Sequence, residues 1–258
     1  MGCTESKDLS LLERLRESFP KTLAILELQQ YSQTLATAFL EVDKNGNLAL
    51  DMGEFFNLCG IPRNRVSERL FAIVDMDGSG TLDFREACYA VWQLCTLDQE
   101  GLQSFLFDLY DEFNNGTIEY DDVERMLKDS YGGQHSAEVK ALVAYVKEKG
   151  VLGRLAFVDF CDRCPQVLKQ VVDVQKRTRL KVLGNKVWAA LEQRRARKTD
   201  PYFRPENWNL LMERLIMMDI EAREEAEHKR KEQEKIYGKR SGAKLSHVGG
   251  EERIRYEP

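Results

Sequence analysis

Apolar positions recur at helical spacing in four stretches of the first two thirds of the chain, each interrupted by a short polar segment. The clearest stretch places Leu70, Phe71 and Val74 before the interruption and Phe84, Ala87, Cys88, Val91 and Trp92 after it. Recurrence three and four residues apart gathers such side chains on one face of a helix. Aligned on their helices, the interruptions begin at Asp43, Asp75, Asp111 and Glu148, separated by 32, 36 and 37 residues. A fixed period of this length marks one supersecondary unit repeated, here a helix, a loop, a helix and a linker. Beyond residue 165, Leu180, Leu183, Val187, Trp188 and Leu191 fall at i, i+3, i+7, i+8 and i+11, which predicts one amphipathic helix over 166–200. Pro201 and Pro205 end it. A helical pattern resumes from Glu206 to about Lys235, first apolar at Leu210, Leu211, Leu215 and Ile216, then dense in Glu and Lys. There Glu225 with Lys229, and Glu227 with Lys231, stand at the i, i+4 spacing that supports an exposed helix.

The fold class predicted is therefore all-α, two pairs of helix–loop–helix units with a helical C-terminal extension. The expected divisions are an N-terminal segment 1–20, a first pair 21–96, a second and degenerate pair 97–165, a basic amphipathic helix 166–200, a charged helical arm 201–237, and a disordered tail 238–258 rich in Gly and charge.

The interruption from Asp75 reads DMDGSGTLDFRE, and its oxygen-bearing side chains fall at positions 1, 3, 5 and 9 (Asp75, Asp77, Ser79, Asp83), with Gly80 sixth and Glu86 twelfth. A hard cation such as Ca2+ takes 6 to 8 oxygen ligands, and this spacing wraps one loop around it. Thr81 offers its backbone carbonyl at position 7, Asp83 acts through a water, and Glu86 closes the site bidentately. Gly80 supplies the positive φ of the turn, and Leu82 at position 8 forms a short strand that pairs with a second loop. This is the EF-hand pattern, and Ca2+ is the expected cofactor.

The other three copies are damaged. The Asp43 loop keeps Asn45, Asn47, Asp51 and Glu54 at positions 3, 5, 9 and 12 but has Leu48 in sixth place. A leucine at positive φ costs about 1 kcal/mol or more, which weakens the site without removing its ligands, so the loop is a candidate for a second, weaker metal site and the sequence leaves open whether it binds Ca2+. The Asp111 loop keeps Asn115, Gly116 and Ile118, but Phe113 removes the third ligand and Asp122 is too short for the twelfth position. The Glu148 copy keeps Gly153 and Leu155 while carrying apolar or basic residues at several ligand positions, and reads as a metal-free scaffold. Damaged loops are retained because each loop strand needs a partner strand.

From Arg65 to Leu127 the chain, with FAIVDMDGSGTLDF followed by FLFDLYDEFNNGTIEYDDVERML, resembles calcineurin B, the plant calcineurin-B-like sensors and the neuronal calcium sensors. The resemblance extends over about 21–165. It implies a calcium-dependent regulatory protein that binds a helix of a kinase, phosphatase, channel or cytoskeletal component in an apolar groove. It also implies metal ligands at Asp75, Asp77, Ser79, Thr81, Asp83 and Glu86.

Charge divides the chain into three parts. Residues 1–165 carry 16 Lys and Arg against 28 Asp and Glu, 166–200 carry 10 against 3, and 201–258 carry 12 against 12. The acidic balance argues against a nucleic-acid partner, while the basic segment reads as a docked structural helix whose charges are solvated, or else suits an EF-hand groove, this protein's own included, or an anionic lipid surface. No apolar run approaches the roughly 18 to 20 residues of a membrane-spanning helix. The chain opens MGCTESK, in which Gly2 with Ser6 fits the N-myristoylation pattern and Cys3 stands at a natural palmitoylation position. A single myristoyl chain binds membranes marginally, so Cys3 is expected to supply the second anchor. The expected location is the cytoplasmic face of a membrane, either the plasma membrane or that of a cilium or flagellum. No catalytic signature is present, and the three histidines have no nucleophile near them in sequence. The reading is a membrane-tethered calcium sensor. The alternative is a calcium-stabilised adaptor acting through its C-terminal arm.

Overall fold

The computed structural model describes residues 11–131 and 137–245. The fold is all-α, with two pairs of EF-hand units. A helix through residues 11–18 (α1) and a short helix Pro20–Ile25 (α2) precede the first unit. The first pair comprises α3 (Ser32–Val42), β1 (Ala49–Leu50) and α4 (Met52–Cys59), then α5 (Arg65–Val74), β2 (Leu82–Asp83) and α6 (Phe84–Thr96). The second comprises α7 (Gln99–Tyr110), β3 (Thr117–Glu119) and α8 (Tyr120–Tyr131), then α9 (Ala137–Lys149), β4 (Val151–Gly153) and α10 (Arg154–Arg163). A 3-10 turn, Pro165–Leu168, leads into α11 (Lys169–Lys181), α12 (Asn185–Ala196) and a last helix, α13 (Trp208–Leu245).

Local chemistry sets these boundaries. Asp51 with Glu54, Asn64 with Ser67, and Asp83 with Glu86 form reciprocal caps at the starts of α4, α5 and α6. Each satisfies two backbone amides that a helix start leaves without a partner. The loop strands pair antiparallel, Leu50 opposite Leu82 and Ile118 opposite Leu152. All four of these side chains are buried. Under them, Phe39 meets Phe84 edge-on at 5.4 Å in the first pair, and Phe107 meets Phe157 at 5.4 Å in the second. The two pairs share one continuous core.

The structure departs from four of these expectations. The N-terminal segment does not end at residue 20 apart from the fold, and the first pair does not begin at 21. Leu15, Phe19, Leu23, Leu26 and Leu28 are buried, and the first EF-hand helix begins only at Ser32. The 166–200 segment is two helices rather than one, because Gly184 sits at φ +83° and closes α11 with a bond from its amide to the Arg179 carbonyl. The buried face is accordingly Val171, Val174, Gln175, Thr178 and Val182, while Leu180 is 67% exposed. The last helix runs through Gly238 and Gly242 to Leu245, since an isolated glycine costs a helix only about 1 kcal/mol.

The fourth concerns the last loop. Its frame lies three residues earlier than Glu148, because Leu152, not Leu155, pairs with Ile118, and Leu155 is 89% exposed. Helix α9 continues to Lys149 and a single turn at Gly150, φ +79°, replaces the binding loop. Helix α12 ends at Ala196, ahead of both prolines, and Pro201 and Pro205 each open a short 3-10 turn beyond it.

The first turns of α13 are not solvent-borne. Leu211, Met212, Leu215 and Asp219 are buried, and α13 packs along α2. The residue before α2, Phe19, has no side chain able to cap it. Asp219 does so from the far end of the chain, accepting hydrogen bonds from the Lys21 amide (3.0 Å), the Thr22 amide (3.3 Å) and the Thr22 hydroxyl (2.5 Å). One turn on, Arg223 donates to the Ser18 carbonyl and lies 4.7 Å over the Phe19 ring.

Candidate calcium-binding loops

In the Asp75 loop the first carboxylate organises the turn. Asp75 accepts from the Ser79 amide at 3.0 Å and from the Gly80 amide at 2.9 Å, and Asp77 accepts from the Ser79 amide at 2.9 Å. The Ser79 hydroxyl donates to the Thr81 carbonyl at 2.8 Å. Gly78 and Gly80 both lie in the left-handed region, at φ +67° and +78°. Asp83 caps α6, and the buried Glu86 accepts from the Asp83 amide at 2.9 Å. Burial, with the charges of Asp83 and Asp77 adding to it, pushes Glu86 up to about 7. Hydrogen bonds from Ser79 hold Asp77 below the ordinary carboxylate range.

These features fit a hard cation. Four carboxylates, a hydroxyl and a carbonyl stand along one twelve-residue loop, and the like charges around Glu86 favour a neutralising ion. Among the described residues, no three Asp, Glu, His or Cys side chains already converge on one point. The carboxylates accept from backbone amides, and holding a metal would exchange some of these bonds for ligation.

The Asp43 loop has the same backbone. Asp43 accepts from the Gly46 and Leu48 amides at 2.8 and 3.0 Å, and Gly46 and Leu48 stand at φ +70° and +63°. Glu54 accepts from the Lys44 amide at 2.8 Å and the Asp51 amide at 3.0 Å. Asn45 and Asn47 each accept from the amide two residues on. The leucine therefore adopts the conformation expected of it. In the third loop Asp111 accepts from the Asn115 and Gly116 amides, with Asn114 and Gly116 at φ +50° and +78°. Phe113 is 75% exposed where a ligand would stand, and Asp122 is held by Arg125. All three loops thus share positive φ at positions four and six. Position four was not expected from the sequence, although Gly46, Gly78 and Asn114 are residues that tolerate this region.

Gly2 and Cys3 lie outside the described residues. Among the described residues no helix is long and apolar enough to cross a membrane.

No family model matches the chain. It is 31% identical over 140 residues to the type 2 calcineurin B of Rattus norvegicus, covering 52% of this chain and 78% of that protein. The chain belongs to the calcineurin B family. This member of the calcineurin B family is also 31% identical over 96 residues to the calcineurin B of Schizosaccharomyces pombe, covering 36% of the chain and 55% of that protein. Calcium-dependent protein kinase 21 of Arabidopsis thaliana is 27% identical over 163 residues, 60% of the chain and 30% of the kinase. Set among calcineurin B relatives, this chain combines one loop with a full donor set, two loops that keep the backbone, and one reduced to a turn.

Proposed function

We propose that this protein is a calcium-responsive regulator that takes Ca2+ chiefly in the Asp75–Glu86 loop and engages a helix of a partner protein. The observation that carries the reading is the full donor set of that loop on a backbone already turned at positions four and six. Asp75, Asp77, Ser79 and Glu86 would hold the ion through side chains, Thr81 through its carbonyl and Asp83 through water. The bound ion supplies positive charge at the first turn of α6, where Glu86 stands. With Glu86 turned from the Asp83 amide to an ion, the setting of α6 against α5 would change, and with it the exposure of apolar surface. The Asp43 loop would be a second, weaker site. The protein acts by binding and not by catalysis. Acylation at Gly2 and Cys3 would hold it at the cytoplasmic face of a membrane, and metabolic labelling with myristate, lost in Gly2→Ala, tests that part.

A calorimetric Ca2+ titration in millimolar Mg2+ tests the centre of the reading. Micromolar binding that disappears in Glu86→Gln is expected, and binding only near millimolar would sink it. The second reading is a structural adaptor, favoured by the exposed distal half of α13 with its ion pairs Glu225–Lys229 and Glu227–Lys231. In that case Glu86→Gln would lower the melting temperature while leaving partner binding intact.

A further inference from the structure

The apolar cleft of the first pair is already filled by the chain itself. Val171, Val174, Gln175, Thr178 and Val182 form one buried face of α11 and its exit, at the spacing with which a bound helix presents its anchors. Val182 lines a small apolar space with Leu35, Phe39, Leu58 and Val91, contributed by α3, α4 and α6. Thr178 is fully buried in this face, its hydroxyl donating to the Val174 carbonyl at 2.9 Å. Trp188 and Leu191 of α12 complete the seal.

The polar contacts concentrate on one spot, the C-terminal end of α6. The last four carbonyls of a helix have no partner within it. Here Gln175 donates to the carbonyls of Leu94 (2.9 Å) and Leu97 (2.8 Å), and Arg179 to that of Cys95 (2.9 Å). Arg195 donates to the Gln93 carbonyl (3.4 Å) and the Thr96 hydroxyl (2.9 Å), with its guanidinium 4.5 Å over the Trp92 ring. Five hydrogen bonds from the C-terminal helices thus grip the far end of the helix whose first turn carries Glu86.

Helix α6 is unbroken from Phe84 to Thr96, so Glu86 and the gripped end are joined by a rigid rod of about 15 Å. A change in interhelical angle of roughly 40°, the size seen when sensor EF-hands open, would sweep the far end through roughly 10 Å. Hydrogen bonds of 2.8 to 3.4 Å do not survive such a sweep.

We propose that the α11–α12 hairpin is an intramolecular occupant of the first pair's cleft, a latch that holds α6 in the setting described above and that calcium at the Asp75 loop releases. This rests on the reading of that loop as the calcium site. Release uncovers the cleft for a partner helix and frees the 169–196 hairpin, which carries 8 basic against 2 acidic residues.

Linkage supplies the test, because two events that oppose one another do so reciprocally. If calcium loosens the latch, loosening the latch tightens calcium binding. The full chain and its Gln175→Ala/Arg179→Ala variant are titrated with Ca2+ by calorimetry, and Val182→Ala serves as a second loosened variant should the first fail to fold. Hydrogen exchange of residues 169–196 in the wild type is followed with and without Ca2+, which needs no variant. The expected results are affinity about fivefold or more tighter in the loosened chains, within the usual span of coupling between sites, and exchange in 169–196 accelerated by calcium. Calcium binding of equal or lower affinity in the loosened chains, with exchange in 169–196 unchanged, overturns the latch and leaves the calcium site standing. No binding to any of the chains overturns both.

Discussion

Leu48 shows how one residue can carry a cost without carrying a function. It stands at φ +63° with the Asp43 carboxylate already bonded to its amide. The left-handed leucine is thus part of the folded loop, and its cost is borne by the stability of the fold. Leu48→Gly is expected to raise unfolding free energy by about 0.5 to 1 kcal/mol in a denaturant titration, the relief of a left-handed leucine less its lost burial. The number of Ca2+ ions bound should not change. A gain in stoichiometry would mean that the leucine, and not the asparagine ligands, had been limiting the loop. Asp219 is the opposite case, one side chain with three bonds and no solvent contact. Asp219→Ala leaves two amides and a hydroxyl at the start of α2 without partners, at a cost of about 2 to 4 kcal/mol. The loss would appear in hydrogen exchange first in α2 and the facing turns of α13.

At the scale of elements, legibility followed how local the determining physics was. The Asp75 loop could be read directly because its donors, its glycine and its flanking apolar faces all lie within about 25 residues of one another. The EF-hand pairs followed from the repeat. The fourth loop could not be framed by matching residues, because its strand register is set by Ile118 across the sheet, and a Gly and a Leu occur in both frames. The C-terminal segment misled for a related reason. Its apolar stripe through Leu180 and Leu183 is continuous on paper, but Gly184 turns the chain and hands the buried role to Val174, Thr178 and Val182. Glu27 was also invisible in sequence. It follows α2 at φ +60° and takes Arg194 and Lys198 of the α12 end at 3.2 and 3.0 Å. Although partial burial opposes it, Lys198 and Arg194 hold the Glu27 carboxyl below its ordinary 4.5. The folded state thus binds this proton less readily than the unfolded chain. Its stabilisation is present above pH 4.5 and is lost as pH falls through the lower folded value. In Glu27→Gln the acid limb of a stability–pH curve should flatten there, with the neutral limb displaced downward.

For the whole molecule, α13 belongs half to the fold and half to solvent. Its first turns bury Leu211, Met212, Leu215 and Asp219, whereas from Glu224 to Glu234 its side chains are exposed and paired along the helix, as in Glu227 with Lys231 at 2.7 Å. Such pairs contribute a few tenths of a kcal/mol each. Ending the chain after residue 226 is therefore expected to leave the melting temperature within about 2 °C. Ending it after residue 207 removes the buried face and the cap on α2, and should lower stability by several kcal/mol, on the scale of losing two or three large core side chains. Equal effects of the two truncations would show that the buried turns add nothing to the fold.

The bond between Thr22 and Asp219 joins residues 197 positions apart and so encloses both EF-hand pairs in a single non-covalent ring. Closing a ring of that size is entropically dear, and contacts of such separation form late. During refolding both EF-hand pairs should acquire protection first, with α2 and the start of α13 clasping last. The same order reversed makes this clasp the first point to open under tension, so a pull between the two ends of the chain would part α13 from α2 before it disturbed a calcium loop.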